Sequence, residues 1–70
     1  MSDDDAIALR GAGFEEMWEG RWQARTVGGV ATFKNGVWSV RVGRAFGSAK
    51  TAREAMDEVR RDFERQGATR

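Results

Sequence analysis

Seventy residues with 12 Lys or Arg, 11 Asp or Glu and no His or Cys make one small domain, residues 1–70, of nearly balanced charge. That composition excludes a disulfide framework, a thiolate metal site and an imidazole general base or zinc ligand, and it suits a reducing cytoplasm. No apolar run approaches the roughly 20 residues that span a bilayer, and the opening MSDDD has the wrong sign for a signal peptide, so a soluble, cytoplasmic chain with no membrane association is expected.

Residues 1–19 form an acidic segment, with six carboxylates against Arg10 alone. Ser2 suits a helix N-cap, and Asp3, Asp4 and Asp5 then fill the first turn, where the helix dipole favours negative charge. Ile7 and Leu9 are the expected apolar contacts, and Gly11 and Gly13 break the helix. Three consecutive acids lack the ligand spacing of a calcium loop, so they read as a helix start and no metal is expected. Phe14, Met17 and Trp18 recur at i, i+3 and i+4, which suits another helical turn. The stretch FEEMWE also fits an extended strand, and both readings stay open.

Residues 20–46 read as a basic antiparallel sheet. The 34 residues from 20 to 53 carry Arg21, Arg25, Lys34, Arg41, Arg44, Lys50 and Arg53 and not one Asp or Glu. RWQARTV alternates with period two and is followed by a turn at Gly28 and Gly29. A second strand spans 30–34. Asn35 and Gly36 supply a type I′ hairpin turn, and a third strand spans 37–42, with Gly43 ending it or marking a bulge. Alternation puts Trp22, Ala24, Ala31, Phe33, Trp38, Val40 and Val42 on the core face. The opposite face carries Arg21, Gln23, Arg25, Val30, Thr32, Lys34, Val37, Ser39 and Arg41.

Residues 51–66 predict an amphipathic helix. Thr51 and Glu54 match the capping box, with Thr51 as N-cap. Ala52, Met56, Val59 and Phe63 form an apolar stripe with Ala55 beside it, and Gly67 fits the C′ position that stops the helix. Arg53/Asp57, Asp57/Arg61 and Arg60/Glu64 are opposite-charge pairs at i, i+4. The fold class expected is α+β: a three-stranded antiparallel sheet, one long C-terminal helix on its apolar face, and a short N-terminal helix.

The basic sheet face is the main functional signal. Fixed Lys and Arg side chains bind phosphate with release of counterions, and a strand ribbon can enter the major groove, where Arg reads guanine edges. Thr32 and Ser39 are interleaved with Arg25, Lys34 and Arg41 in a way that permits this. Any exposed sheet face must be polar, but a merely solvated one mixes both signs. Trp22 and Trp38 fall on the core face, which leaves Trp18 as the tryptophan that can be partly exposed and stack on a base. GSAKT, residues 47–51, lacks the spaced glycine of a phosphate loop, yet a small basic turn at a helix N-terminus can hold one phosphate. Without His, Cys or Tyr, and with its carboxylates on exposed helix faces or near the N-terminus, the chain is expected to be non-enzymatic and to use no cofactor.

GRWQAR on the first strand (20–25), with Phe46 ahead of TAREA (51–55) on the helix, resembles the AP2 and integrase arm-binding type of DNA-binding domain over roughly residues 20–60. Such domains lay a three-stranded sheet in the major groove and back it with a helix. The stretch from 38 to 55 equally resembles small phage-encoded βββα proteins of unassigned role. The resemblance implies DNA contacts from the strand-face Arg and Lys; with the basic face, the leading expectation is a module on duplex DNA positioned by Arg21, Arg25, Lys34 and Arg41, with Arg44 and Lys50 adding contacts at the rim. The alternative is a small phage-type protein-binding inhibitor or adaptor, for example an anti-defence protein, that docks on an acidic partner surface. A homodimer burying a sheet edge is a third option.

Overall fold

The computed structural model describes residues 3–26 and 28–68. In chain order these form α1 (Asp3–Gly11), β1 (Glu15–Trp18), β2 (Arg21–Ala24), β3 (Gly29–Lys34), β4 (Val37–Val42), β5 (Ala45–Ala49) and α2 (Ala52–Ala68). The class is α+β as expected, but the sheet has five strands, not three, in the order β1-β2-β3-β4-β5 with every neighbour antiparallel. α2 lies across β5 and β4, and α1 packs against α2. No helix among the described residues is long and apolar enough to cross a membrane.

In α1 the three aspartates occupy the first turn, while the proposed cap Ser2 lies outside the described residues. Leu9 is fully buried with Ala6 beside it, but Ile7 is 64% exposed. Leu9 is thus the apolar contact expected and Ile7 is not: two residues apart on a helix is about 200° of rotation, so the two cannot share a face. The helix ends in a Schellman arrangement. Phe14 N–H donates to Leu9 C=O at 2.9 Å, Gly13 N–H donates to Arg10 C=O at 3.1 Å, and Gly13 takes φ +92°. Phe14 and Leu9 are both buried, which is the apolar contact that accompanies this motif.

Residues 15–18 are strand rather than helix, paired with β2 through a bulge between Glu16 and Trp18. The helical spacing of Phe14, Met17 and Trp18 misleads because Phe14 belongs to the core below the sheet while Met17 and Trp18 are exposed. The β3–β4 turn is as predicted: Asn35 and Gly36 both have positive φ, 54° and 76°, as a type I′ turn requires. Gly43, at φ 59°, ends β4 and opens a two-residue turn into β5. The core face carries fully buried Trp22, Ala31, Trp38, Val40 and Ala45. Phe33 and Trp38 are cross-strand partners whose rings tilt together at 5.1 Å.

α2 starts at the predicted cap, Thr51, with the Glu54 carboxylate meeting the Thr51 hydroxyl. The Thr51 hydroxyl accepts the Glu54 N–H and donates to the Glu54 carboxylate, each at 3.2 Å. A second cap comes from α1, where the buried Asp5 carboxylate accepts the Ala52 N–H at 2.9 Å. That internal anion occupies the position suggested for a phosphate, and residues 47–49 of the proposed phosphate turn lie in β5 instead. Ala52, Ala55 and Val59 are buried, whereas Phe63 at the far end of the stripe is 46% exposed. The helix continues through Gly67 to Ala68 rather than stopping there. Its ion pairs are Asp57–Arg60, Glu58–Arg61 and Asp62–Arg65, at i, i+3 rather than the i, i+4 spacing expected.

Candidate nucleic-acid interface

Both helices lie on the Trp22/Trp38 face, so among the described residues no layer covers the opposite face of the sheet. Register sorts it into cross-strand rows. The central row runs Trp18, Arg21, Thr32, Ser39, Ser48 from β1 to β5. A second row runs Glu15, Gln23, Val30, Arg41, Phe46, and a third begins with Lys34 and Val37. None of these twelve side chains is buried. From β2 to β5 this face holds no Asp or Glu, and Glu15 on the β1 edge is its one acid among the strand residues described.

Three of the six basic residues expected at the interface project from strands of this face: Arg21, Lys34 and Arg41. At about 4.8 Å between strands and 3.4 Å per residue, their backbone positions form a triangle with sides of roughly 8, 12 and 14 Å. Arg25 sits in the turn after β2, at the end of the sheet away from Lys34. Lys50 follows β5 at the Lys34 end and is exposed. Arg44 is not brought to this face. It lies on the β4–β5 turn with its carbonyl accepting from Gln66 Nε2 of α2 at 3.1 Å, in a hollow shared with Phe63, Gln66 and Gly67. The acid-free run of sequence thus becomes a spread of positive charge, not a tight cluster.

Two aromatic residues complete the face. Trp18 is 62% exposed, and the Arg21 guanidinium sits 5.2 Å from its ring centroid, a cation–π distance. Phe46 is 49% exposed and pairs across the strands with Arg41. Together with Val30, Thr32 and Ser39 those two side chains line a shallow depression on the face. The partial exposure of Trp18 is as the sequence pattern suggests; that of Phe46 is not, since it depends on β5. The signal was available: Ala45, Gly47 and Ala49 alternate with Phe46 and Ser48 directly after a two-residue turn containing glycine.

The free edges are guarded. β1 carries Glu15, Glu16 and a bulge, all of which oppose pairing with another strand. On β5, the Phe46 N–H donates to the Asp62 carboxylate of α2 at 3.0 Å. The arrangement defines an α+β domain with one protected face and one open, basic-aromatic face. No protein-family profile, curated protein or solved structure matches the chain.

Proposed function

We propose that this chain is a non-enzymatic module that binds nucleic acid through the outer face of its sheet, with Arg21, Lys34 and Arg41 meeting backbone phosphates. The observation that carries the reading is the charge of that face: three cations on β2, β3 and β4 with no carboxylate on the face from β2 to β5. Three phosphate contacts give a salt slope of about −2 to −3 in log affinity against log salt. A double charge reversal, Lys34→Glu with Arg41→Glu, tests it. Both side chains are exposed, so the urea midpoint should hold while binding measured at low salt falls by about 100-fold or more. Binding equal to that of the parent would refute the reading.

A second reading has its own observation. Arg together with exposed Trp18, Val37 and Phe46 is also the composition of a protein interface core, and an acidic partner surface would complement the cations. A stoichiometric protein partner that survives nuclease treatment, and is lost in the same double reversal, would replace the nucleic-acid reading.

A further inference from the structure

We infer that the nucleic acid recognised is single-stranded, with its bases stacking on Trp18 and Phe46. This rests on the nucleic-acid reading above and specifies its ligand. The geometry behind it is a repeated pair. At each edge of the open face an exposed aromatic ring stands across from an arginine: Trp18 beside Arg21 on β1 and β2, Phe46 beside Arg41 on β5 and β4. A ring takes a base face irrespective of sequence, and an arginine alongside takes the adjoining phosphate. Between the two pairs lie Thr32 and Ser39, half-buried hydroxyls that can bond base edges or sugar.

Duplex DNA fits this surface less well. Four inter-strand steps make the sheet roughly 19 Å wide between its edge strands, wider than the major groove at about 12 Å. A duplex lying on the outside of the sheet would reach the cations but leave both rings facing sugar and phosphate. In a single strand the bases are free to turn onto the rings. Trp18 and Phe46 are about 20 Å apart by the same spacing. A strand extended to roughly twice the 3.4 Å duplex rise per phosphate covers that distance in about three nucleotide steps. The minimum site is therefore about four nucleotides, running diagonally from β1 to β5.

The test uses the full chain with three fluorescein-labelled probes of equal length: dT12, U12 and a 12-base-pair duplex. Trp22 and Trp38 are fully buried, so quenching of tryptophan emission by unlabelled dT12 or U12 reports on Trp18. The expected result is at least tenfold tighter binding of dT12 or U12 than of duplex. Trp18→Ala and Phe46→Ala should each weaken it roughly 5- to 150-fold, and Trp18→Phe, which keeps a ring, should stay within about threefold. The tighter of the two single strands identifies the sugar recognised. Phe46→Leu keeps apolar bulk without a ring and stands in for Phe46→Ala if that variant loses its fold. If the duplex binds as tightly as the single strands, or if the ring-removing variants bind dT12 and U12 like the parent, stacking is refuted while nucleic-acid binding stands. If no probe binds with a salt-dependent affinity, both readings fall.

Discussion

Gly47 lies where α2 crosses β5, and replacing it with alanine should cost this domain a large part of its stability. Its φ is not in the left-handed region, so the backbone itself tolerates a side chain. The obstacle is space. An added Cβ would meet the carbonyl oxygen of Ala55, the Cβ of Glu58 at 2.7 Å and the amide nitrogen of Val59 at 2.7 Å. Two of those atoms are helix backbone and cannot rotate away. Bringing the 2.7 Å contacts to an ordinary 3.4 Å requires a displacement of about 0.7 Å, and relief of the Ala55 contact requires more. A gap of 0.5–1 Å forfeits about a quarter to a half of the dispersion energy of atoms facing it. Here those atoms belong to buried Ala52, Ala55 and Val59.

Overpacking of this kind costs about 1–3 kcal/mol and occasionally more. Because backbone is the obstacle, Gly47→Ala should fall at about 3 kcal/mol. Against a total stability of about 0.05–0.15 kcal/mol per residue, or roughly 4–10 kcal/mol for the chain, that is between a third and most of the fold. Urea unfolding followed by emission of the buried Trp22 and Trp38 measures it, and Tm should drop by about 12–24 °C. An unfolding free energy of Gly47→Ala within about 0.5 kcal/mol of the parent would refute the close crossing of α2 over β5.

Two further substitutions probe the other ends of the helices by the same measurement. Asp5→Ala removes a buried acceptor from the Ala52 N–H and should destabilise by about 1–2 kcal/mol, with Asp5→Asn recovering part of it; unchanged stability would mean that this cap contributes nothing. Gly67→Ala should stabilise by up to about 1 kcal/mol, since the glycine is helical and a Cβ there meets nothing within 4 Å. A loss of stability at Gly67→Ala would show that the helix ends before it.

The parts of the fold legible in the sequence are those where one strong local preference acts alone. Asn35 and Gly36 need positive φ and set the β3–β4 register, which assigns Trp38 and Val40 to the core and Lys34 and Arg41 to the outer face, while period-two alternation does the same for Trp22 and Arg21. Thr51 and Glu54 mark the start of α2 for an equally local reason. β5 has only a weak local signal, alternation after a glycine turn, because Ala45, Gly47 and Ala49 have poor strand propensity; they are small because α2 passes directly over them, a tertiary demand. Asp5 was read as a dipole-favoured helix residue, and its bond to Ala52, 47 positions away, has no pattern in either segment. Without β5 the sequence pattern yields the cations, the hydroxyls and Trp18 of this face but not Phe46.

The exposure of Trp18 and Phe46 carries more weight in a domain this small than it would in a large one. Fully burying a phenylalanine side chain contributes about 1.5–3 kcal/mol relative to leaving it in water, which is a sizeable fraction of a roughly 4–10 kcal/mol total. Seven of the 70 residues are Trp or Phe, and the core takes Trp22 and Trp38 completely and Phe14 nearly so, with Phe33 packed against it. Where α2 needs closeness, the chain uses Ala and Gly; the ring of β5 is put on the opposite face, in the open. Phe63, the remaining exposed ring, belongs to the apolar stripe of α2 and lies beside the β4–β5 turn, in the hollow it shares with Arg44, Gln66 and Gly67. Trp18 has only the Arg21 guanidinium against its ring, and Phe46 lines the shallow depression beside Arg41. Each stands in a strand, on a face with no layer above it, opposite an arginine, and a bound base would supply the apolar contact that neither helix provides.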